Sequence, residues 1–320
     1  MSQTKSLSVV IPVYNEAKSL EPLYQELSAV LSALPLSSEV IFVNDGSTDG
    51  SAEVLKALSE KNKKISCLSF RKNFGKSEAL SAGFGVAKGD RVVTLDADLQ
   101  DDPREIPKLI QKLEEGYDLV SGWKQNRKDP FLKKYSSRLF NRATSFMTGL
   151  PLHDFNCGLK CYRREVVKEL KLYGQLHRFI PALAFWKGFR ISEVKVDHRQ
   201  RRYGKTKYGP VRYLEGFLDL LTILLVTRYL KRPLHFLGRP GLVTGGVGFL
   251  ICSYLSVLWF TGHGPIGNRP LLLLGILLVL SGIQFFCVGL LGELMVHEFH
   301  HEHPETCNSA AQTETTYTKV

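Results

Sequence analysis

The chain has 320 residues, 44% of them hydrophobic, and a formal net charge of +11 at pH 7. This length allows one large domain with a buried core and an appendage. The positive charge does not indicate a nucleic-acid-binding protein, because the basic residues concentrate at 124–142 and 199–212, where anionic lipid or phosphorylated ligands suit them better. The 6 cysteines contain no CxxC pair, which argues against a zinc site or a disulfide framework and indicates buried thiols at Cys157 and Cys161.

Residues 1–120 alternate short β-branched runs with helical stretches. The predicted strands are Leu7 to Val13, Glu39 to Val43, Ile65 to Phe70 and Arg91 to Leu95, and the predicted helices are Ala17 to Leu34, Asp49 to Lys61, Lys76 to Lys88 and Pro103 to Glu115. Strands that are apolar on consecutive positions are covered on both faces. The pattern therefore predicts an α/β fold, a mostly parallel sheet sandwiched by helices.

A polar cluster follows each predicted strand. The clusters are Tyr14 to Glu16, Asn44 to Ser47, Arg71 to Lys76 and Asp96 to Asp98. Ligands of parallel α/β sheets bind beyond the carboxyl ends of the strands, so we expect all four clusters to open onto one rim.

Two later runs, Gly241 to Phe260 and Pro270 to Gly292, contain no Asp, Glu, Lys or Arg. Each has the ~20 residues that a helix needs to cross ~30 Å of hydrocarbon. We expect two transmembrane helices, because core helices of a soluble protein rarely supply two such runs joined by a Gly/Pro-rich connector. Residues 213–230 suit either a helix in the membrane surface or a helix packed on the preceding domain.

Basic residues before the first apolar run outnumber those after it. Arg228, Lys231, Arg232 and Arg239 precede the run, whereas the connector holds only Arg269. Positive charge marks the cytoplasmic side, so we expect a two-span protein of the cell membrane with its large domain and both termini in the cytoplasm. The expected divisions are a domain at 1–210, an interfacial helical region at 211–238, the two spans within 239–295 and a disordered cytoplasmic tail at 296–320.

Asp96 and Asp98 stand one residue apart where a predicted strand ends. Side chains at i and i+2 of an extended segment share a face, so both carboxylates can converge on one divalent cation, which commonly carries a diphosphate. Gln100 lies two residues further along and adds a neutral oxygen. An oxygen-only site suits Mg²⁺ or Mn²⁺ better than zinc, and two acids that open a turn are the alternative interpretation.

Asp45 lies in a tight turn with Gly46, where its carboxylate can accept hydrogen bonds from a nucleobase. We expect Ser47 or Thr48 to cap the next helix and to leave Asp45 free for a ligand. Asp102 opens a capping box with proline at the first helical position and is expected to be structural.

His198 to Tyr208 carries five cations and a glycine, a composition suited to phosphate oxygens. Binding of this run to anionic lipid is an equally compatible interpretation. The histidines His297, His300, His301 and His303 follow an apolar run among acidic residues, which favours a solvated tail over a metal site.

Together these motifs resemble the family 2 glycosyltransferases of GT-A fold, and within them the polyprenyl-phosphate branch that includes dolichol-phosphate mannose synthases and bacterial undecaprenyl-phosphate glycosyltransferases. The resemblance covers nearly the whole chain and rests on Val9 to Glu16, Asn44 to Ser47, Asn73 to Lys76, Asp96 to Gln100 and Arg202 to Tyr208. It implies a nucleotide-sugar donor, Mg²⁺ or Mn²⁺, and a polyprenyl phosphate acceptor, undecaprenyl or dolichyl, in the bilayer.

The resemblance also implies roles for single residues. Those implied for the donor are Pro12, Tyr14, Glu16, Asp45, Lys76 and Asp96, and those implied for the metal are Asp96, Asp98 and Gln100. Those implied for the acceptor and its phosphate are Arg127, Arg138, Arg202 and Lys205. Asp98 is implied in catalysis, and so is Asp154, which lies where the branch often carries a catalytic carboxylate. Thr206 replaces a serine of many relatives and keeps the hydroxyl.

The implied reaction is inverting. A polyprenyl phosphate oxygen attacks the anomeric carbon of a nucleotide-activated hexose in line, and the metal and cations stabilise the departing nucleoside diphosphate. A phosphate monoester with a second pKa near ~6 is already largely dianionic in the cytosol, so Asp154 would orient the acceptor and not deprotonate it. UDP-glucose is the donor that we favour, with GDP-mannose, UDP-N-acetylglucosamine and modified pentoses as alternatives.

Two other functions are open at the level of sequence. Gln175 to Phe179 is close to the Gln-x-x-Arg-Trp pattern of processive polysaccharide synthases, but it lacks the tryptophan, and two crossings are few for a polymer channel. A non-catalytic membrane scaffold that keeps a nucleotide-binding domain is the second, although intact acids at Asp45, Asp96 and Asp98 argue against it. The expected partners are the donor, the acceptor and the bilayer, and a homo-oligomer is compatible with them.

Overall fold

The computed structural model describes residues 6–125, 141–200, 233–262, 265–267 and 269–302. The chain divides into two compact units, Met1–Leu221 and Thr222–Val320. The first unit contains a β-sheet with its helices, and the second contains two long apolar helices.

The described strands of the first unit are β1 (Ser6–Val13), β2 (Ser37–Asn44), β3 (Ile65–Ser69), β4 (Arg91–Thr94), β5 (Leu119–Trp123), β6 (Lys160–Arg163) and β7 (Ile191–Lys195). The described helices are α1 (Ala17–Ala33), α2 (Ser51–Lys61), α3 (Lys76–Val86), α4 (Ile106–Glu114), α5 (141–148), α6 (Arg164–Glu169) and α7 (Ile180–Trp186). Short 3₁₀ helices span Pro103–Glu105 and Leu176–Phe179.

The strands form one sheet in the order β3-β2-β1-β4-β6-β5-β7. Neighbours from β3 to β4 are parallel, and β5 is parallel to β7. β6 runs antiparallel to both β4 and β5. The predicted α/β fold with a mostly parallel sheet is therefore confirmed, with one reversed strand inserted beside β4.

The apolar runs of the sequence form the core of this unit. Val9, Val10 and Ile11 of β1 are all fully buried, as expected of a strand covered on both faces. Leu20 and Leu27 of α1 are equally buried, on the stripe that an amphipathic helix presents to a sheet. This packed sheet holds the ends of its strands in place.

The helix boundaries differ from the predicted ones in two places. α2 begins at Ser51 with Gly50 in the N-cap position, so the expected cap at Ser47 or Thr48 is wrong. Asp49 supplies the carboxylate at this helix start, because its Oδ1 accepts a hydrogen bond from the Ser51 amide at 3.1 Å. Asp102 does cap the turn that begins at Pro103, since it accepts from the Arg104 amide at 3.0 Å.

The second unit contains helices at Pro233–Phe260 and Pro270–Glu302, which we call the first and second apolar helices. Both are long and apolar enough to cross a membrane. Many of their large apolar side chains are exposed, as expected of helices that face lipid and not a protein core. The first begins inside the region expected to be interfacial, and the second continues into the expected tail. The predicted helix at 213–230 and the side chains from His297 to His303 lie outside the described parts of the chain.

Glycines form the contact between the two apolar helices. A Cβ at Gly248 would lie 2.6 Å from the carbonyl oxygen of Gly275, and a Cβ at Gly241 would lie 2.9 Å from that of Gly282. Such small residues let helix backbones approach closely in lipid. At one end of the pair the Glu293 carboxylate accepts a hydrogen bond from the Leu234 amide at 3.2 Å.

Candidate active site

Three of the predicted polar clusters follow β1, β2 and β4, which are parallel neighbours. The fourth follows β3, which is parallel to β2. The carboxyl ends of all four strands therefore point the same way, and the expected common rim is confirmed at the level of topology.

Asp96 and Asp98 open toward the rim. Both are partly exposed, whereas the alternate residues Ala97 and Leu99 are 4% and 1% exposed. The Gln100 amide donates to the Asp98 carboxylate at 3.1 Å. Leu99 between them has φ +61°, a left-handed conformation that L residues other than Asn and Asp seldom adopt and that is often found at functional sites. Asp96 and Asp98 thus alternate with buried residues, and they lie close enough for the charge of one to act on the other.

Cations surround Asp96. Lys76, the first residue of α3, lies with its Nζ 2.5 Å from Asp96 Oδ1. Burial disfavours the charged carboxylate, but Lys76, Lys124 and Lys160 outweigh it and hold the pKa of Asp96 at about 2. Asp96 is therefore ionised at every physiological pH.

Asp98 has the opposite electrostatic environment. Burial, together with the negative charges of Asp96 and Asp101, raises the pKa of Asp98 to about 6. The two neighbouring acids thus have pKa values pushed apart, a pattern typical of functional sites.

The donor set fits a divalent cation that also binds a ligand. Among the described residues no group of three or more His, Cys, Asp or Glu side chains is placed to hold a metal ion. Asp96 and Asp98 supply two carboxylates, and Gln100 supplies an amide oxygen nearby in the chain. Mg²⁺ commonly takes one or two protein carboxylates and completes its shell with water and substrate phosphates, which matches this set.

Asp45 holds the loop that leads into α3. Its carboxylate accepts hydrogen bonds from the amides of Phe74 at 2.7 Å and Gly75 at 3.0 Å. Burial raises the pKa of Asp45, and these two amides act against that rise. The loop comes so close that a Cβ at Gly46 would lie 2.3 Å from the Lys72 carbonyl carbon, so only glycine fits there. Asp45 therefore already has partners in the protein, whereas the sequence analysis expected a free carboxylate.

The segments that follow β1 and β2 are joined to each other. Asn15, with φ +52°, accepts a hydrogen bond from the Thr48 amide at 2.7 Å and donates its own amide to Ser47 Oγ at 3.0 Å. Glu16 donates its amide to Ser51 Oγ at 3.1 Å. Tyr14 is 37% exposed beside them. The donor residues implied by the motifs thus share this rim, where Pro12 of β1 pairs in register with Val43.

A buried ionic layer follows the acids, and the sequence analysis missed it. Lys124 Nζ lies 2.5 Å from Asp101 Oδ1, with side-chain exposures of 10% and 1%. Lys160 is also buried and donates to the Cys157 carbonyl. A Cβ at Gly158 would meet the Asp96 carboxylate, so this glycine lets the chain before β6 approach the acid. The contact between Gly158 and Asp96 could not be predicted from the sequence, because it depends on how the fold brings the two segments together.

Cys157 and Cys161 are buried thiols, as predicted. Burial raises the pKa of each to about 12, which leaves them protonated and unreactive at neutral pH.

Asp154 lies in the segment before β6 and is only 1% exposed. Its carboxylate accepts a hydrogen bond from the Asn156 amide at 3.0 Å. Its carbonyl accepts from Ser121 Oγ at 3.4 Å. Asp154 is therefore a buried part of the segment that leads into β6, and its role in catalysis stays a prediction.

Arg199, the first cation of the predicted phosphate-binding segment, is bound inside the domain. Its guanidinium lies 2.5 Å from Glu26 and 2.7 Å from Asp102, and its amide donates to the Gln100 carbonyl at 2.9 Å. It anchors the chain after β7 to the acidic turn. The other proposed cations, Arg127, Arg138, Arg202 and Lys205, lie outside the described residues.

The segment that resembles a polysaccharide-synthase motif packs against α3. The His177 amide donates to Ser77 Oγ at 3.0 Å, and His177 Nδ1 lies 3.0 Å from the same oxygen. Phe179 is fully buried where the synthase pattern has tryptophan. In the structure this segment contacts the first turn of α3 through His177 and Ser77.

Comparison with known proteins agrees with this geometry. The family model described as Glycosyl transferase family 2 matches residues 8–171, a little over half of the chain. A dodecaprenyl-phosphate galacturonate synthase of Rhizobium johnstonii is 38% identical over 305 residues, which cover 94% of this chain and 90% of that protein. An undecaprenyl-phosphate 4-deoxy-4-formamido-L-arabinose transferase of Pseudomonas aeruginosa is 38% identical over 291 residues, which cover 90% of this chain and 84% of that protein.

Solved structures share the fold of the first unit. Glucosyl-3-phosphoglycerate synthase from Mycobacterium tuberculosis, in complex with Mn²⁺, UDP-glucose and phosphoglyceric acid, matches with a TM-score of 0.55 at 22% identity over 69% of this chain and 80% of that one. Mannosyl-3-phosphoglycerate synthase from Rubrobacter xylanophilus matches with a TM-score of 0.57 at 16% identity over 70% and 75%. The chain therefore has the GT-A fold and belongs to glycosyl transferase family 2.

Proposed function

We propose that this protein transfers a sugar from a nucleotide sugar to a polyprenyl phosphate at the cytoplasmic face of the membrane, with inversion at the anomeric carbon. The observation that carries the proposal is the pair of partly exposed carboxylates, Asp96 and Asp98, at the end of a parallel sheet. The same chain has two helices apolar enough to cross a bilayer. Relatives named for dodecaprenyl and undecaprenyl phosphate support this acceptor class.

Asp96, Asp98 and Gln100 would hold the divalent cation, Mg²⁺ or Mn²⁺. When bound, that cation supplies positive charge for the departing diphosphate. The cation would also offset the negative charge of Asp98. Burial and the acidic neighbours raise the pKa of this residue to about 6.

The rim beside the acids would bind the nucleotide. A carboxylate has about four acceptor positions, so Asp45 can hold Phe74 and Gly75 and still accept from a base N–H. Tyr14 and Glu16 lie after the neighbouring strand. Lys76 adds a point charge suited to phosphate oxygens.

The acceptor needs little activation by the protein. Its phosphate is largely dianionic at pH 7, because the second pKa of a phosphate monoester is about 6. Asp154, which is 1% exposed, would therefore orient the acceptor and not act as a base. Arg127, Arg138, Arg202 and Lys205 are proposed to bind the acceptor phosphate.

The donor is proposed to be a UDP-linked hexose or a sugar derived from one. UDP-glucose is favoured from the sequence, whereas the relatives' names specify galacturonate and 4-deoxy-4-formamido-L-arabinose. A donor panel separates these sugars because each adds a different mass to the lipid.

The test uses membranes that contain the full chain, undecaprenyl phosphate and a panel of donors: UDP-glucose, UDP-galacturonate, UDP-4-deoxy-4-formamido-L-arabinose, UDP-N-acetylglucosamine and GDP-mannose. Mass spectrometry of the chloroform extract should show one glycosylated polyprenyl phosphate. Asp98→Asn should reduce its formation by about 100-fold or more, since it removes charge at the metal site. Glu60→Gln, on the exposed surface of α2, is the matched control and should retain the wild-type rate.

Two results contradict the proposal. A polymeric product that stays out of chloroform indicates a processive synthase. The absence of transfer from every donor, with wild-type protein in the membrane, indicates a non-catalytic scaffold.

A further inference from the structure

We propose that Lys76 competes with the divalent cation for Asp96 and thereby ties metal binding to the arrival of the donor. The inference rests on the proposed function, because it gives a second role to Lys76, which that function already assigns to the donor phosphates. Its basis is the ion pair between Lys76 Nζ and Asp96 Oδ1 at 2.5 Å, with side-chain exposures of 26% and 29%.

The position of Lys76 is fixed by the loop before it. Asp45 accepts hydrogen bonds from the amides of Phe74 and Gly75, the two residues that precede Lys76. Gly75 has φ +109° and occupies the N-cap position of α3, so the backbone turns sharply there and delivers Lys76 to the rim. The turn therefore places the backbone of Lys76 at the start of α3, from where its side chain reaches Asp96.

Asp96 is fixed from another direction by Gly158, whose backbone leaves no room for a Cβ beside the carboxylate. The Gly158 backbone lies against one side of this carboxylate, so a cation does not approach Asp96 from there. A divalent cation at Asp96 and Asp98 must instead displace the ammonium of Lys76 or bind beside it against charge repulsion.

A displaced Lys76 has an obvious new partner. A donor diphosphate bound at the metal brings anionic oxygens to the position that the ammonium leaves, and lysine is well suited to them as a point charge. Metal and nucleotide would then strengthen each other's binding, and the coupling is reciprocal by linkage. With Lys76 at Asp96, the site holds metal weakly until the nucleotide is present.

The test measures binding of Mn²⁺ alone to purified full-length protein in detergent, from the electron paramagnetic resonance signal of free Mn²⁺. Lys76→Met should bind Mn²⁺ about 5- to 10-fold more tightly than wild type, within the usual range of coupling between sites. Lys56→Met is the matched control, because Lys56 is an exposed lysine of α2 that belongs to none of the four polar clusters. Its Mn²⁺ affinity should equal that of wild type.

A second measurement repeats the titration with UDP. The nucleotide should increase the Mn²⁺ affinity of wild type by a larger factor than that of Lys76→Met. Lys76→Gln keeps a hydrogen-bond donor without the charge and should also bind Mn²⁺ alone more tightly, which covers the case in which Lys76→Met does not fold.

The outcomes separate the two proposals. If the Lys76 variants bind Mn²⁺ no more tightly than wild type does, the competition is overturned and the transferase function is unaffected. A wild-type protein that binds no Mn²⁺, with or without UDP, overturns both the competition and the proposed metal site.

Discussion

Gly158 lies directly against Asp96: a Cβ at position 158 would stand 2.4 Å from the Asp96 carboxyl carbon. Real side chains do not approach this closely, so any other residue at 158 must move the acid or the strand that follows it. The segment that leads into the reversed strand β6 thus fixes the geometry of an acid that follows β4. The pairing of β4 with β6, from Arg91 with Arg163 to Thr94 with Lys160, brings these two distant segments together.

Replacement of Gly158 by alanine should therefore impair transfer much more than folding. A shift of about 1 Å in a metal-binding acid can cost about 100-fold in rate, and we expect a loss of that order. Gly85→Ala is the control, since nothing lies within 4 Å of a Cβ there. Initial rates and melting temperatures of both variants provide the check, and a Gly158→Ala enzyme with the wild-type rate would contradict this account.

Arg199 predicts a stability effect. Its guanidinium joins Glu26 and Asp102, so Arg199→Met should lower the free energy of unfolding by about 1.5–3 kcal/mol, the usual range for hydrogen bonds to charged groups. Arg199→Lys should recover only part, because one ammonium lacks the planar fork that serves both acids.

The control for Arg199 is Arg190→Met. Arg190 is 69% exposed and lies 3.6 Å from Asp118, a surface pair worth less than about 1 kcal/mol. Denaturation of the purified variants measures both effects. A double-mutant cycle of Arg199→Met with Glu26→Gln should show coupling, and strictly additive losses would argue against the ion pair.

His177 predicts that acid weakens the fold. Burial, reinforced by Lys76 and Arg178, lowers its pKa well below the ordinary value, so the folded state keeps the ring neutral. In the unfolded state the ring takes up a proton below pH ~6.5. The contribution of His177 to stability is therefore complete above that pH and declines as pH falls, by up to about 1.4 kcal/mol per pH unit.

Melting temperatures between pH 7.5 and 5 test this dependence. The wild-type value should fall more steeply than that of His177→Gln, which cannot titrate at this position. Equal slopes in wild type and His177→Gln would show that other groups cause the acid sensitivity.

The apolar helices predict a difference between neighbouring glycines. Gly248→Val would force a side chain into the Gly275 carbonyl, so we expect a loss of about 1–3 kcal/mol, as for other overpacked contacts. Gly246→Val is the matched control, because a Cβ there meets nothing within 4 Å. Melting in detergent should separate the two variants, and equal stability would mean that the helices do not pack through Gly248.

The rim was predictable because it follows from local patterns. Runs such as Val9 to Ile11 are apolar on consecutive positions, which indicates a parallel sheet, and a parallel sheet places the polar residues after its strands together. Asp96 and Asp98 were recognised from their Asp-X-Asp spacing, although the strand ends at Thr94 and Asp98 lies in a turn. These features depend on residues close to each other in sequence.

The buried cations were not predictable in this way. Lys124 pairs with Asp101, and Lys160 lies near Asp96, only because β6 enters the sheet antiparallel between β4 and β5. The hydrophobic periodicity is weak after Ser121, so no sequence pattern predicted that insertion. Sequence spacing carries no information about partners that the topology brings together.

The turn after β2 shows a different limit. Asp45, Ser47, Thr48 and Asp49 can all accept hydrogen bonds, and local chemistry does not rank them. The structure assigns Asp49 to the Ser51 and Ala17 amides and Asp45 to the loop before α3. Those choices depend on α1 and on residues 74–75, which lie outside the turn.

Leu99 combines a left-handed backbone with a side chain that is 1% exposed. Glycine at this position would relax the backbone but would empty a place in the core, while a β-branched residue would fill the core but strain the turn further. Position 99 should consequently tolerate very few amino acids in a saturation library. Such narrow mutational tolerance is usually sought among catalytic groups, and here it arises at an aliphatic residue because one side chain must satisfy both the core and the turn.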